Sequence, residues 1–298
     1  MKGVNSKNIA KVITDKVLAE LKNDPGKWIK SWSDANRPVN LVTGREYTGC
    51  NWLWLAMMQG HGGNDSNEWC TYNQAKELTG LDYPIKKGSK GQPVILYKPQ
   101  KIKKLVDGEL KEQSFPIMRV FQVFNRSVIE GLPPREIPAE EENKLEKVEV
   151  FVNKHKINLK NGFDHACFIP KVDEIHMPFI SNFKSTEDYY ATLLHEMTHW
   201  TGHEKRLDRK LRTAYGTEAY AFEELVAELG AAMMCNHLNI EGKLQHTEYI
   251  ASWLKVLEND EKAVLRASAQ AQKAFDYLLG DSNGHRESGN NSESVSVS

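Results

Sequence analysis

The chain has 298 residues, 40% of them hydrophobic and 27% charged, with a formal net charge of −1. That much apolar side chain is enough for two cores and excludes a disordered or fibrous chain. The sequence shows no apolar run of membrane-spanning length. Met1 to Leu21 is amphipathic and polar, not a signal peptide, and four cysteines without paired spacing fit reduced thiols in a cytoplasm.

The near-zero net charge conceals an asymmetry. Residues 1–125 hold 19 Lys and Arg against 12 Asp and Glu, whereas the remainder holds 20 against 28. A basic half joined to an acidic half points to a polyanionic partner for the first alone. Five of the seven tryptophans, Trp28, Trp32, Trp52, Trp54 and Trp69, fall in the first 70 residues. Residues 83–106 carry Lys86, Lys87, Lys90, Lys98, Lys101, Lys103 and Lys104 and no acidic residue. Val94–Tyr97 and Phe115–Phe124 read as strands, so these lysines would project from a hairpin and its loop. Aromatic rings beside a basic groove suit stacking of unpaired bases, and Trp52, Trp54, Tyr72, Lys86, Lys87, Lys90 and Lys98 are the candidate contacts.

Residues 130–143 are rich in proline and glutamate and lack apolar periodicity, which marks a linker or strap. Cys167–Pro170 and Ile175–Pro178 read as short strands; the next segment is the most informative of the chain. His195-Glu196-Met197-Thr198-His199 follows a stretch without Gly or Pro, Ser185 with Asp188 resembles a capping box, and Pro178 and Gly202 bound the helix. Histidines at i and i+4 lie on one helix face and can reach one ion, and Glu196 beside the first can take a proton from a water on that ion.

A catalytic zinc site wants a third protein ligand and an open position. Glu218–Leu238 reads as a largely apolar helix with Leu225, Leu229 and Met233 on one face. Its Glu224 and Glu228 are costly to bury unless a positive group lies against them. Glu224 is the expected ligand, with Glu228 orienting a histidine or exchanging roles with it. His203 is the rival. On one unbroken helix it would lie about 12 Å along the axis from His195, so it could ligate only through a sharp turn at Gly202; otherwise it supports the helix end or a second contact. Tyr215 and Tyr220, near in sequence, read as packing residues, although a tyrosine could stabilise an oxyanion. Residues 246–279 read as an amphipathic helical region closing the second core, and 281–298 as a disordered tail.

These residues also carry a resemblance. His195 to His203, Arg206-Leu207-Asp208-Arg209, Glu218-Ala219-Tyr220 and Glu223 to Glu228 resemble the zincin-type peptidase domain of the ArdC antirestriction family. Thr43 to Gly49 with Asn51, Trp69 to Ala75, Lys86 to Gly91, and Val123-Phe124-Asn125 with Gly131-Leu132-Pro133 resemble that family's N-terminal domain. Cys50 departs from the pattern, where the family more often has a small or branched apolar residue. The resemblance implies single-stranded-DNA binding by the N-terminal domain, and protection of incoming mobile-element DNA from host restriction.

The expected fold is α+β in two domains. Residues 1–128 form an α+β nucleic-acid-binding domain, 129–145 a linker, and 146–280 a mainly helical zincin-like domain with a small sheet, followed by the tail. The expected chemistry is a gluzincin-like peptidase with one Zn²⁺ per chain on His195, His199 and Glu224, and Glu196 as the proton acceptor. Its partners are single-stranded DNA and a protein or peptide substrate, with no membrane. The competing reading is a non-enzymatic DNA-binding protein with a structural or vestigial metal. A nuclease is disfavoured, because nuclease metals are usually Mg²⁺ pairs held by carboxylates.

Overall fold

The structure, a computed structural model, describes residues 9–23, 37–59, 64–106, 109–133, 144–209, 211, 217–240 and 250–280. Trp28, Trp32, Tyr215 and the expected tail at 281–298 lie outside the described residues.

The N-terminal half places α1 (Ile9–Asn23), α2 (Gly49–Met58) and α3 (Tyr72–Thr79) with a sheet of β1 (Val39–Asn40), β2 (Glu68–Thr71), β3 (Gln92–Val106) and β4 (Glu109–Asn125) in the order β1-β2-β4-β3. β1 and β2 are parallel and the other pairs antiparallel. The β3–β4 hairpin runs in register from Gln92 opposite Val123 to Val106 opposite Glu109, well beyond the two apolar runs that mark it in the sequence. Ladder hydrogen bonds between backbone groups do not require apolar side chains, so pairing continues where periodicity stops. Asn51 on α2 clamps the edge strand β3, its amide donating to Ile95 O and accepting from Ile95 N–H, each at 2.7 Å. Helix α3 opens on a capping box, in which Thr71 Oγ1 accepts from Gln74 N–H at 3.3 Å and Gln74 Oε1 accepts from Thr71 N–H at 3.0 Å. It closes on Gly80 at φ 69°, a left-handed position that glycine adopts without steric cost.

The chain beyond β4 stays on this half: Ile129 is buried and bridges to Ile85, and Glu130 N–H donates to Pro84 O. Helix α4 (Lys144–Lys154) begins the C-terminal half, so of the expected linker at 129–145 only residues 134–143 lie outside the described residues. There β5 (Asn158–Asn161), β6 (Cys167–Ile169) and β7 (Glu174–Met177) form a sheet in the order β5-β7-β6, β5 parallel and β6 antiparallel to β7. β6 and β7 match the expected strands; β5 has only Leu159 as an apolar residue and escapes pattern reading. The helices are α5 (Thr186–Thr201), α6 (Glu218–Leu238), α7 (Ile250–Asn259) and α8 (Ala263–Leu279).

The architecture is the expected two-domain α+β arrangement, but its cores are not separate. Ile13, Val17 and Leu21 of α1 and Trp52 and Leu53 of α2 join Trp253, Val264, Ala271 and Phe275 of α7 and α8 in one apolar cluster. That cluster continues through Leu194 and Met197 of α5 to Leu225 and Leu229 of α6. The segment expected to close the second core instead bridges both halves. Ala263, Ala267, Ala271 and Ala274 of α8 are all buried, and such small side chains allow packing on more than one side. Polar bonds fix the same seam: Gly49 N–H donates to Gln272 Oε1 at 3.0 Å, and Thr14 Oγ1 donates to Glu261 O at 2.7 Å. The N-terminal sheet keeps a small cluster of its own in Trp54, Leu55, Trp69, Val94 and Val123. Among the described residues no helix is long and apolar enough to cross a membrane, and all four cysteines are free.

Candidate metal centre and nucleic-acid surface

Helices α5 and α6 build the metal centre. Ser185 Oγ accepts from Asp188 N–H at 3.0 Å and caps α5, while Thr217 Oγ1 accepts from Tyr220 N–H at 3.2 Å and caps α6. Helix α6 is buried along nearly its whole length, as a helix apolar on all sides must be. The two helices approach so closely at Gly230 that a Cβ there would lie 2.5 Å from Thr198 Cγ2. This approach brings the carboxylates of α6 onto the histidines of α5.

His195, His199 and Glu224 converge, with their ligand atoms all within 4.8 Å of one another. Glu224 Oε2 lies 3.5 Å from His195 Nε2 and Glu224 Oε1 3.4 Å from His199 Nε2. A tetrahedral ion with donors at roughly 2.0–2.2 Å has donor–donor edges of about 3.3 Å, so the two glutamate–histidine spacings are compatible with a divalent ion held among these groups. The other ring nitrogens are engaged behind the site. His195 Nδ1 lies 3.1 Å from Glu228 Oε2, and His199 Nδ1 lies 3.2 Å from Glu223 Oε1. With Nδ1–H donated to a carboxylate, each ring turns its Nε2 lone pair inward.

Arg209 closes this outer layer. Its guanidinium donates to Glu223 Oε1 at 2.8 Å, to Thr201 Oγ1 at 2.8 Å and to Thr198 O at 2.6 Å. Gly202 ends α5 at φ −77°, so no left-handed turn occurs there. What it supplies is space, because a Cβ would meet Leu211 Cδ2 at 2.8 Å and Arg209 Nη2 at 2.9 Å.

Electrostatics follow from burial among opposite charges. Burial opposes a charge on His195, but the hydrogen bonds it donates to Glu224 and Glu228 override it and hold the imidazole well above its ordinary pKa. Burial is likewise outweighed at His199 by Glu223 and Glu224, and its pKa is pushed up to about 9. Burial would raise the Glu224 carboxyl, yet the two imidazoles hold it well below the usual range. Glu223 is lowered too, against burial, by His199 and Arg209. Such a site binds protons tightly when no cation is present, and a divalent cation competes for the same lone pairs.

Glu196 is 5% exposed, and among the described residues no hydrogen bond or ion pair engages it. It lines, with the three converging residues, a cleft of about 200 Å³ bordered by Cys167 and Phe168 of the edge strand β6 and by Pro170 just beyond it. Burial pushes the Cys167 thiol up and the charge of Glu196 adds to it, which marks how close the strand runs to that carboxylate.

His203 is neither a member of the cluster nor a contact to it. Its Nε2 lies 3.1 Å from Pro170 O, and its Nδ1 accepts from Lys205 N–H at 3.1 Å. The rival-ligand reading is thereby corrected: the chain turns at Gly202 and carries this ring to β6, where it ties the strand to the end of α5. Arg206 makes a second tie, pairing with Asp173 and lying 3.8 Å from the Trp200 ring centroid. Tyr220 lines the cleft instead of merely packing. Sequence reasoning gave Glu223 and Arg209 no role. The signal was the second carboxylate of Glu223-Glu224 on an apolar helix, which needs a cation as much as the first.

The nucleic-acid candidates divide sharply. Trp52 and Trp54 are 0% and 1% exposed, so their reading as base-stacking residues is corrected: tryptophan's large apolar area is more stabilising in the core, where both rings are packed. Tyr72, Lys86, Lys87 and Lys90 are exposed. Lys98 lies on β3 opposite Ile117, and its side chain is outside the described residues. Lys16 on α1 joins them; its Nζ lies 4.5 Å from the Trp54 ring centroid, and burial together with the charge of Lys90 lowers its pKa.

Comparisons with known proteins agree with this division. Residues 7–124 match the N-terminal domain of anti-restriction factor ArdC, and residues 146–270 match a zincin-like metallopeptidase domain. The chain is 32% identical to protein y4eC of Sinorhizobium fredii over 279 residues, covering 89% of this chain and 90% of that one. It is 34% identical over 288 residues to the DNA primase TraC of Escherichia coli, of which it spans only 26%. A second Escherichia coli TraC is 35% identical, and the chain spans 20% of it. Among solved structures, the antirestriction protein ArdC from plasmid R388 in its metal-free form superposes with a TM-score of 0.76 at 33% identity, covering 92% of this chain and 97% of that one. Its Mn(II)-bound form gives 0.75, covering 93% and 99%. The two domain matches and the likeness in sequence and fold to the solved ArdC structures together show that this chain belongs to the ArdC antirestriction family.

Proposed function

We propose that this chain is a zinc-dependent peptidase coupled to a single-strand DNA-binding domain, acting in a cytoplasm to protect incoming DNA from restriction. The observation that carries the peptidase reading is the position of Glu196, buried beside three convergent candidate ligands and in no hydrogen bond or ion pair with any described residue. A carboxylate left unpaired there is held for a proton-transfer task rather than for stability.

His195, His199 and Glu224 would hold the ion, and two imidazoles with one carboxylate suit zinc better than Mg²⁺ or Ca²⁺. When bound, the ion supplies Lewis acidity and a water of lowered pKa. Glu196 would hold a proton at its carboxylate on the cleft side of these ligands and pass it to the leaving amine. Glu228 and Glu223 keep the two imidazoles oriented, and Arg209 offsets the charge of Glu223. The edge strand β6, tied down by His203 and Arg206, offers backbone groups to an extended peptide and so aligns a scissile bond along the cleft. Tyr220, which lines the cleft, would donate to the developing oxyanion.

The likeness to the primases covers a fraction of their length, and the metal cluster is a histidine–carboxylate set rather than the carboxylate pairs that serve Mg²⁺. Primer synthesis is therefore not proposed. The test is incubation of the zinc-loaded protein with a panel of restriction enzymes, with and without single-stranded DNA. Site-specific cleavage that disappears in Glu196→Gln, with zinc content retained, is the expected result. No cleavage under either condition would favour a non-enzymatic DNA-binding protein with a structural metal.

A further inference from the structure

We infer that Tyr83, with Tyr72 beside it and Lys86, Lys87, Lys90 and Lys16 following, forms the surface on which single-stranded DNA stacks. The inference rests on the single-strand reading above and assigns it a place that the buried tryptophans cannot fill.

Tyr83 is 84% exposed, the most exposed of the large hydrophobic side chains among the described residues. Its backbone is not loose. On one side Asp82 O accepts from Tyr72 Oη–H at 2.7 Å, and Asp82 Oδ1 takes the Lys76 ammonium at 2.9 Å. On the other side Pro84 is buried and its carbonyl accepts from Glu130 N–H at 2.8 Å, while Lys86 N–H donates to Val128 O at 3.0 Å. Ile85 bridges to Ile129 and completes the clamp. A ring held out into water on a pinned backbone keeps its apolar surface exposed, yet it loses little entropy when a planar partner lands on it. Tyr72, whose hydroxyl reaches the residue before Tyr83, is itself partly exposed and adds a second ring to this surface.

Charge selects the partner. From Tyr83 to Lys90 the chain carries three lysines and no acidic residue. Lys90 extends the track toward Lys16 on α1, whose charge is disfavoured by burial first and then by the nearby Lys90, and a phosphate beside them would offset that repulsion. The carboxylate of Asp82 is occupied by Lys76, which leaves Glu130 and Asp65 as the exposed acidic groups bonded to this neighbourhood through their backbone amides. An aromatic platform leading into a line of cations is the arrangement that unpaired bases and their phosphates require, whereas a closed duplex has no free base face to offer it.

The test uses the full chain, a fluorescein-labelled oligothymidylate and the matched duplex, read by anisotropy. Wild type is expected to prefer the single strand. Tyr83→Ala should lower single-strand affinity about tenfold while leaving the melting temperature in place, because the ring buries little. Tyr83→Trp should bind at least as tightly as wild type. If wild type prefers single strands and Tyr83→Ala binds them equally well, stacking lies elsewhere and this inference is overturned while the single-strand reading stands. If wild type shows no preference for the single strand, the reading itself fails and takes the inference with it.

Discussion

The metal centre and the nucleic-acid surface of this chain obey opposite rules. At the metal centre the charged groups around the three converging residues are answered by one another, Glu228 behind His195, Glu223 behind His199 and Arg209 behind Glu223, with Glu196 the exception among the described residues. On the loop around Tyr83 the lysines stand in solvent, and what is fixed is the backbone. A buried charge without a partner costs several kcal/mol, so geometry at the first site is over-determined. Exposed cations need no such company, and the second site tolerates many arrangements. Substitutions should therefore act locally and severely at the first, and gradually at the second.

The largest effect is expected from Glu196→Gln, which should reduce peptidase activity by about 10²–10⁴-fold with zinc content unchanged. Activity surviving at wild-type rate would remove the proton acceptor from the mechanism. Next comes the ligand set. Glu224→Ala should lose most of the bound zinc, whereas Glu228→Ala and Glu223→Ala should each weaken it about 10–100-fold, as measured by elemental analysis and chelator competition. The reverse order for Glu224 and Glu228 would exchange their roles.

Proton linkage sharpens the same point. His195 and His199 have raised pKa values in the metal-free chain, the latter about 9. Stability from these charged imidazoles is fully present below the ordinary imidazole pKa of about 6.5 and is lost as pH rises through the raised values. Glu224, lowered, acts in the opposite sense: its contribution is present above the ordinary carboxylate value and is lost as pH falls through its depressed one. The melting temperature of the metal-free chain should thus decline between about pH 6.5 and 9. Zinc binding at pH 7 should release protons, seen as calorimetric heats that change with the buffer's ionisation enthalpy. Heats independent of buffer would mean that the imidazoles are already neutral.

Packing that sets the helix spacing gives a smaller effect. Gly230→Ala forces a methyl against Thr198 and should cost about 1–3 kcal/mol, or roughly 2–4 °C in melting temperature for each kcal/mol. Zinc affinity should fall with it; a loss of stability alone would show that the helix spacing does not set the ligand geometry. The smallest expected change is Lys87→Ala, which should reduce the salt dependence of single-strand binding by about one counterion and leave metal content alone. A change in zinc content there would mean that the two regions are not independent.

How much of this was legible beforehand differs between the regions for the same reason. His195, Glu196 and His199 were readable because helical spacing alone places them, and Glu224 because an apolar helix advertises its buried carboxylates. The same argument applies to Glu223, but its partner Arg209 was not readable, since that pairing depends on how the chain folds back after Gly202, which no local pattern encodes. The tryptophans misled because exposure is not a local property: the same indole suits a base or a core, and only the packing of α2 against β3 and α8 decides which.

Sequence alone determined the helix carrying the histidines, the strands beside it, the charge division and the family resemblance, all of which follow from local periodicity, capping and residue type. Tertiary structure decided the remainder. It merged the cores through α8, turned His203 from a rival ligand into a tie for β6, and left Tyr83 in solvent while burying Trp52 and Trp54. Each of these depends on which faces meet across long separations in sequence, and close packing fixes that choice only when the whole chain is assembled.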